Sequence, residues 1–190
     1  MSIRVISGTA KGMKLKLVPG EGTRPIMDRV KESLFNILGR DIFDCTFLDL
    51  FAGTGSVAIE ALSRGAAYAL LIDNDARAQR TIQDNLKITH LAARAAVRKL
   101  DAFLLLRSTP ERAFNMVYIA PPQYLGLWKK ALDLLDASPG WVADDGIVIV
   151  QIDPTEREDI TLRTFQLFDE RRYGSTLLQF FRRLALPAPE

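Results

Sequence analysis

Three aspartates and a pair of glycines fall where apolar runs of this sequence give way to helical patterns. The stretch Asp49-Leu50-Phe51-Ala52-Gly53-Thr54-Gly55 closes the first such run. Glycines at this spacing let the backbone turn sharply and approach a ligand, and the helix that follows offers its N-terminus. Gly53, Gly55 and Ala58 also complete G-x-G-x-x-A, the dinucleotide fingerprint, which leaves a nicotinamide-dependent oxidoreductase open. Asp49 points elsewhere: a carboxylate at the mouth of the turn repels a pyrophosphate but suits the ammonium of a methionine moiety, as in S-adenosylmethionine. Asp73 ends the next run, AYALLID, where an acid can accept both ribose hydroxyls of either cofactor. Asp75 is the residue expected to cap the helix beyond it. Asp101, after the third run, is placed to accept from an adenine amino group beside Ala102 and Phe103, although aspartate is also a favoured helix cap. Phe51 and Asn74 complete the expected cofactor-binding set.

The fourth run ends in Tyr118-Ile119-Ala120-Pro121-Pro122-Gln123-Tyr124. Two prolines past a buried strand cannot donate ladder hydrogen bonds and hold a rigid, extended turn with outward carbonyls, suited to clamping a planar base. A plain strand terminator is the alternative. Neither Cys45, the one cysteine, nor His90, the one histidine, has partners at metal-ligand spacing. Cys45 reads as a small core residue, His90 as a helix-end or surface residue, and no metal is expected.

The elements that must position these residues alternate. Strand-like CTFLDLF, AYALLI, AAVRKL and FNMVYIA are each followed by a helical pattern, SVAIEALSRG, DARAQRTIQDNLKI, DAFLLLR and LGLWKKALDLL, before GIVIVQI. This predicts an α/β fold with a doubly wound, mostly parallel sheet. Ahead of it, IRVISG and KLKLV predict a β-hairpin, VPGEGTRP a loop, and Val30, Leu34, Ile37 and Leu38 a helix capped by Asp28 and running to about Leu38. At the other end FQLFDERRY and TLLQFFRRL predict a terminal antiparallel pair joined through Gly174 and Ser175, and LPAPE is expected to fray.

The 190 residues suit one domain, with residues 1–40 as a basic extension and 41–185 as the cofactor-binding core. No run is long and apolar enough for a membrane span or secretory signal, so a cytoplasmic protein is expected. The formal charge of +2 conceals an asymmetry: residues 1–40 hold eight basic groups against three acidic ones. Such a basic end is an electrostatic footprint of phosphate backbones, and equally a solvated face. Arg4, Lys11, Lys14, Arg24, Arg29 and Lys31 are the expected RNA contacts, with Arg29 and Lys31 also readable as helix-face decoration.

With these residues in place, the chain resembles the bacterial 16S ribosomal RNA guanine-N2 methyltransferase family, Rossmann-like enzymes dependent on S-adenosylmethionine. The resemblance rests on RVISGTAKGMKL, TRPIMDRVKESLFNIL, FLDLFAGTGSVAIEALSRGA, DNDARAQRTIQDNL, LDAFLLL and the Pro-Pro motif. It implies methyl transfer to the exocyclic amine of a guanine in 16S ribosomal RNA or the small subunit, by a protein expected to be a monomer. The pattern departs at the catalytic motif, where Asp or Asn followed by Pro-Pro and an aromatic residue is usual. Ala120 replaces the acid and Gln123 the aromatic, with Tyr124 one place later. The catalytic set is then Pro121 and Pro122, with Gln123 as an amide acceptor and Tyr124 as a stacking ring. Ala120 also opens a further alternative, a non-catalytic RNA-binding relative of the same fold.

Overall fold

A computed structural model describes residues 3–20 and 26–184 of the chain, which divides into units Met1–Ala102 and Phe103–Glu190. In the first unit, β3 (Thr46–Asp49), β4 (Tyr68–Asp73) and β5 (Ala95–Lys99) run parallel in the order β5-β4-β3. Their crossovers are α2 (Ser56–Ser63) and α3 (Ala76–Ile88). Every residue of α2 is buried, whereas α3 buries a stripe of Ala78, Ile82 and Leu86 together with the polar Thr81 and Asn85. Asp75 caps α3 as expected, its carboxylate accepting from the Arg77 N–H at 2.7 Å. His90 lies just past that helix, exposed, and Cys45 is buried, its thiol pushed up to about 12 by desolvation.

The expected N-terminal hairpin is much reduced, to β1 (Ile3–Arg4) paired antiparallel with β2 (Lys14–Leu15). The intervening backbone keeps bonds of its own, the Val5 N–H donating to the Met13 carbonyl at 3.0 Å and the Gly12 N–H to the Val5 carbonyl at 2.9 Å, but between Ile6 and Ala10 it also bonds to α2. Glu60 accepts from the Ile6 and Ser7 N–H groups at 2.7 and 2.9 Å, and Ser63 Oγ accepts from the Ala10 N–H at 2.9 Å. Gly8 makes this approach possible, because a Cβ there would lie 1.8 Å from the Ser63 carbonyl oxygen. The next helix, α1 (Asp28–Leu38), ends where expected but is not capped by Asp28. Met27 occupies the cap position, and Asp28, already helical, pairs with Arg4 at 3.2 Å.

Helix α4 (Ala102–Arg107) begins at the boundary between the units. In the second unit, β6 (Phe114–Ile119) and β7 (Val142–Ile152) are parallel, with α5 (Leu127–Ala137) between them in sequence. β8 (Phe165–Tyr173) and β9 (Thr176–Arg183) form the expected antiparallel pair, giving the order β6-β7-β9-β8. β7 starts earlier than its GIVIVQI signal, because an irregular stretch carries Val142 into register with Phe114 before regular pairing resumes at Ile147. The terminal LPAPE lies outside the described residues. Among the described residues no helix is long and apolar enough to cross a membrane.

Candidate functional site

The carboxyl ends of β3, β4 and β5 bring together Asp49, Gly53, Gly55, Asp73, Asn74, Asp101 and Ala102. Gly53 and Gly55 adopt left-handed φ values of 54° and 77°, closing a turn in which the Gly55 N–H donates to the Ala52 carbonyl at 2.7 Å. A Cβ on Gly55 would lie 3.2 Å from Leu71 and 3.3 Å from Ile82, so the small residue lets α2 start against the sheet. A Cβ on Gly53 would meet nothing within 4 Å, so the other glycine faces open space.

Asp73 ties this turn to β4. Its Oδ2 accepts from the Gly53 N–H at 2.8 Å and its Oδ1 from the Asp75 N–H at 2.9 Å. Each oxygen keeps a lone pair beyond its one backbone donor, and the half-buried side chain stays within reach of a ligand. The β5 end joins the same cluster through the Leu100 N–H, which donates to the Asp73 carbonyl at 3.1 Å. Asn74 is exposed, Phe51 and Asp101 are half-buried, and Ala102 is buried.

Asp49 is only 1% exposed, and its Oδ1 has no hydrogen-bond partner among the described residues. Burial pushes its carboxyl up to about 7, the Asp73 charge adds to the rise, and the N–H groups of Phe51 and Ala58 oppose it. A buried, orphaned acceptor behind a glycine turn fits a cationic ligand group, since an unpaired buried acceptor is costly until a donor arrives.

The sequence reading missed Asn85. Fully buried in α3, it donates to the carbonyls of Thr54 and Lys16 at 2.9 and 3.1 Å and accepts from the Lys16 N–H at 2.7 Å. One side chain thus joins the glycine turn to the basic extension. The available signal was an amide on the apolar stripe of an otherwise regular helix.

In the second unit, β6 delivers the Pro-Pro turn. Ala120 and Gln123 are half-buried, Pro121 is buried and Pro122 exposed. Tyr124 is 67% exposed, with a left-handed φ of 64°, and its hydroxyl donates to Asp153 Oδ2 at 2.9 Å. Asp153, directly after β7, also went unnoticed in the sequence, because 29 residues separate it from Tyr124.

The basic extension separates into different kinds of residue. Arg4, Lys11, Lys14 and Arg29 are exposed, although Arg4 is paired with Asp28, and Arg24 lies outside the described residues. Lys31 corrects the expectation. At 1% exposure its ammonium donates to the Arg4 carbonyl at 2.6 Å and lies 3.7 Å from the fully buried Glu60 carboxylate, which Arg64 also contacts at 2.7 Å. It falls on the inner face of α1, so its charge is satisfied within the chain and is withdrawn from phosphate.

Acid, glycine turn, acid and acid at successive parallel strand ends fit a Rossmann-like α/β fold, and similarity to solved structures makes that fold a methyltransferase one. One is a candidate methyltransferase, yhhF, from Escherichia coli, with TM-score 0.87 and 34% identity over 98% of this chain and 100% of that one. An RNA methyltransferase from Salinibacter ruber in complex with S-adenosyl-L-homocysteine shares the fold at TM-score 0.67 and 15% identity, over 88% of this chain and 97% of that one. The chain belongs to the family described as conserved hypothetical protein 95, which it matches over residues 3–182, and this is a ribosomal RNA methyltransferase family. The ribosomal RNA small subunit methyltransferase D of Escherichia coli (strain K12) is 36% identical over 185 residues, 96% of this chain and 91% of that protein. Its namesake in Haemophilus influenzae is 31% identical over 176 residues, 90% of this chain and 89% of that protein. The fingerprint that left an oxidoreductase open therefore belongs to a methyltransferase.

Proposed function

We propose that this protein transfers a methyl group from S-adenosylmethionine to the exocyclic N2 amine of a guanine in 16S ribosomal RNA, acting as a cytoplasmic monomer. The observation that carries the reading is the set of acidic strand ends around the glycine turn, in a chain whose relatives are named for small-subunit ribosomal RNA. In this reading the chain is a single methyltransferase domain, with residues 1–40 as a basic, RNA-contacting extension and 41–185 as the cofactor-binding catalytic core.

S-adenosylmethionine supplies an electrophilic methyl on a sulfonium. Asp49 offers its unpaired buried oxygen to the positive end of the amino-acid moiety, and the Asp73 carboxylate, fixed by two N–H donors, accepts the ribose hydroxyls. Asp101 accepts from the adenine amine beside Ala102. A guanine amine delocalises its lone pair into the ring, so an acceptor drawing on its N–H helps localise that pair for attack. Ala120 has no such acceptor, and the role falls to the carbonyls of the Pro121-Pro122 turn and to Gln123. As the N–C bond forms the S–C bond breaks, neutral S-adenosylhomocysteine leaves, and the now cationic amine gives its proton to water, so no strong base is required. Acceleration comes from alignment and exclusion of water. Unstacking the base costs a few kcal/mol, which phosphate contacts from Arg4, Lys11, Lys14, Arg24 and Arg29 offset.

Incubation with labelled S-adenosylmethionine and undermethylated small subunits is expected to place label on one guanine, located by mass spectrometry. Tight RNA binding without incorporation would favour the non-catalytic relative that Ala120 brings to mind. Label on a different base would retain the enzyme and discard the guanine assignment.

A further inference from the structure

The departure at Ala120 leaves the Pro-Pro turn without its customary acid, yet the second unit brings another carboxylate to that turn from β7. Asp153 is held on one side by Thr155, whose backbone N–H and hydroxyl donate to Oδ1 at 2.9 and 2.7 Å. Its other oxygen accepts the Tyr124 hydroxyl. The Thr155 N–H, then the Thr155 hydroxyl, then the Tyr124 hydroxyl hold the carboxyl below the usual carboxylate range, so Asp153 stays charged at physiological pH.

Tyr124 shows why such an anchor matters. Its backbone is in the left-handed region, which an aromatic residue rarely adopts, and strain of this kind collects at sites where a group must be held in place. Burial does not explain the strain, because Tyr124 and its neighbour Leu125 are 67% and 66% exposed. The result is a flat apolar surface beside Pro121-Pro122, fixed at its far end through a hydroxyl.

We propose that Asp153 is a positioning residue for the RNA substrate, holding the Tyr124 ring at the Pro-Pro turn as the platform on which the target base stacks. This rests on the methyltransferase reading above and deepens it, assigning to the residue directly after β7 part of the hold on the target base. Stacking on an aromatic ring tolerates any base, so Tyr124 supplies grip while hydrogen bonds to the base edge supply choice.

The test compares Asp153→Asn, Tyr124→Phe and the double variant with the wild-type protein. Each single change is expected to raise KM for undermethylated small subunits about fivefold to tenfold, with KM for S-adenosylmethionine unchanged and the double variant no worse than either single. Tyr124→Ala, which removes the ring, is expected to cost about tenfold or more. In parallel, carbon-13 relaxation of the four tyrosine rings, assigned by single Phe substitutions, should show Tyr124 loosened in Asp153→Asn. Unchanged ring order, unchanged KM for the particle, or additive effects in the double variant would overturn the proposal. Binding of the particle is measured as Kd alongside KM. Absence of transfer by wild-type protein would then count against the activity alone, while Kd and ring order still decide the role of Asp153.

Discussion

The strand ends of the first unit and the Pro-Pro turn of the second are built on opposite terms. In the first, functional groups are held by backbone donors and buried polar side chains: Asp73 by two N–H groups, the Thr54 carbonyl by Asn85, Asp49 by burial itself. In the second, an exposed tyrosine in a strained conformation is tied to a carboxylate at the surface. The contrast suits the proposed ligands: a small cofactor is best held by groups fixed before it arrives, whereas a base arriving on a large RNA needs an open platform, so rigidity there comes from anchoring and not from burial.

The comparison can be pressed at four points. Lys31→Gln should have the largest effect, because it leaves Glu60 with one fewer cation in a buried cluster. A loss of about 3–5 kcal/mol, seen as a melting point lower by about 10 °C or more, is expected with little direct change in RNA contacts. A stable Lys31→Gln protein with weakened RNA binding would restore Lys31 to the RNA face. Next comes Asp73→Ala, which removes the proposed ribose acceptor and strands the Gly53 N–H. Calorimetry should show cofactor Kd weakened about 100-fold and RNA affinity within about twofold; comparable losses in both would abolish the division between the units.

Third is the pH response of Asp49. Its folded carboxyl, near 7, holds a proton more tightly than an unfolded aspartate does at about 3.9. Its contribution to stability without cofactor is therefore complete below about pH 4 and is lost progressively as pH rises to about 7. Cofactor binding should run the other way, strengthening several-fold between about pH 6 and 7.5 as the carboxylate forms. Asp49→Asn should flatten both trends, and an Asn variant that keeps them would assign the titration to another group. The smallest effect is expected for Lys14→Ala, a few-fold loss of RNA affinity with the salt slope reduced by about one. A salt slope equal to that of the wild-type protein would remove Lys14 from the RNA face.

Much of this was legible in advance because parallel strands buried on both faces must be continuously apolar and must alternate with helices. Their carboxyl ends are thus marked in the chain, and Asp49, Asp73 and Asp101 can be found by looking there. The terminal strand pair and the cap at Asp75 follow from equally local signals. What local pattern misjudged were contacts between distant segments: the hairpin shortened by Glu60 and Ser63, Asp28 drawn into a pair with Arg4, and Lys31 turned inward.

By itself, then, the sequence determined the order of elements, the glycine turn with its acids, and the departure at Ala120, since each is written in residues close together along the chain. Only the tertiary structure decided which charges are spent inside, that Asn85 joins the turn to the extension, and that Asp153 meets Tyr124. Those outcomes depend on which side chains share a volume after folding, and burial turns the same lysine or aspartate from a surface charge into a partner that must be satisfied.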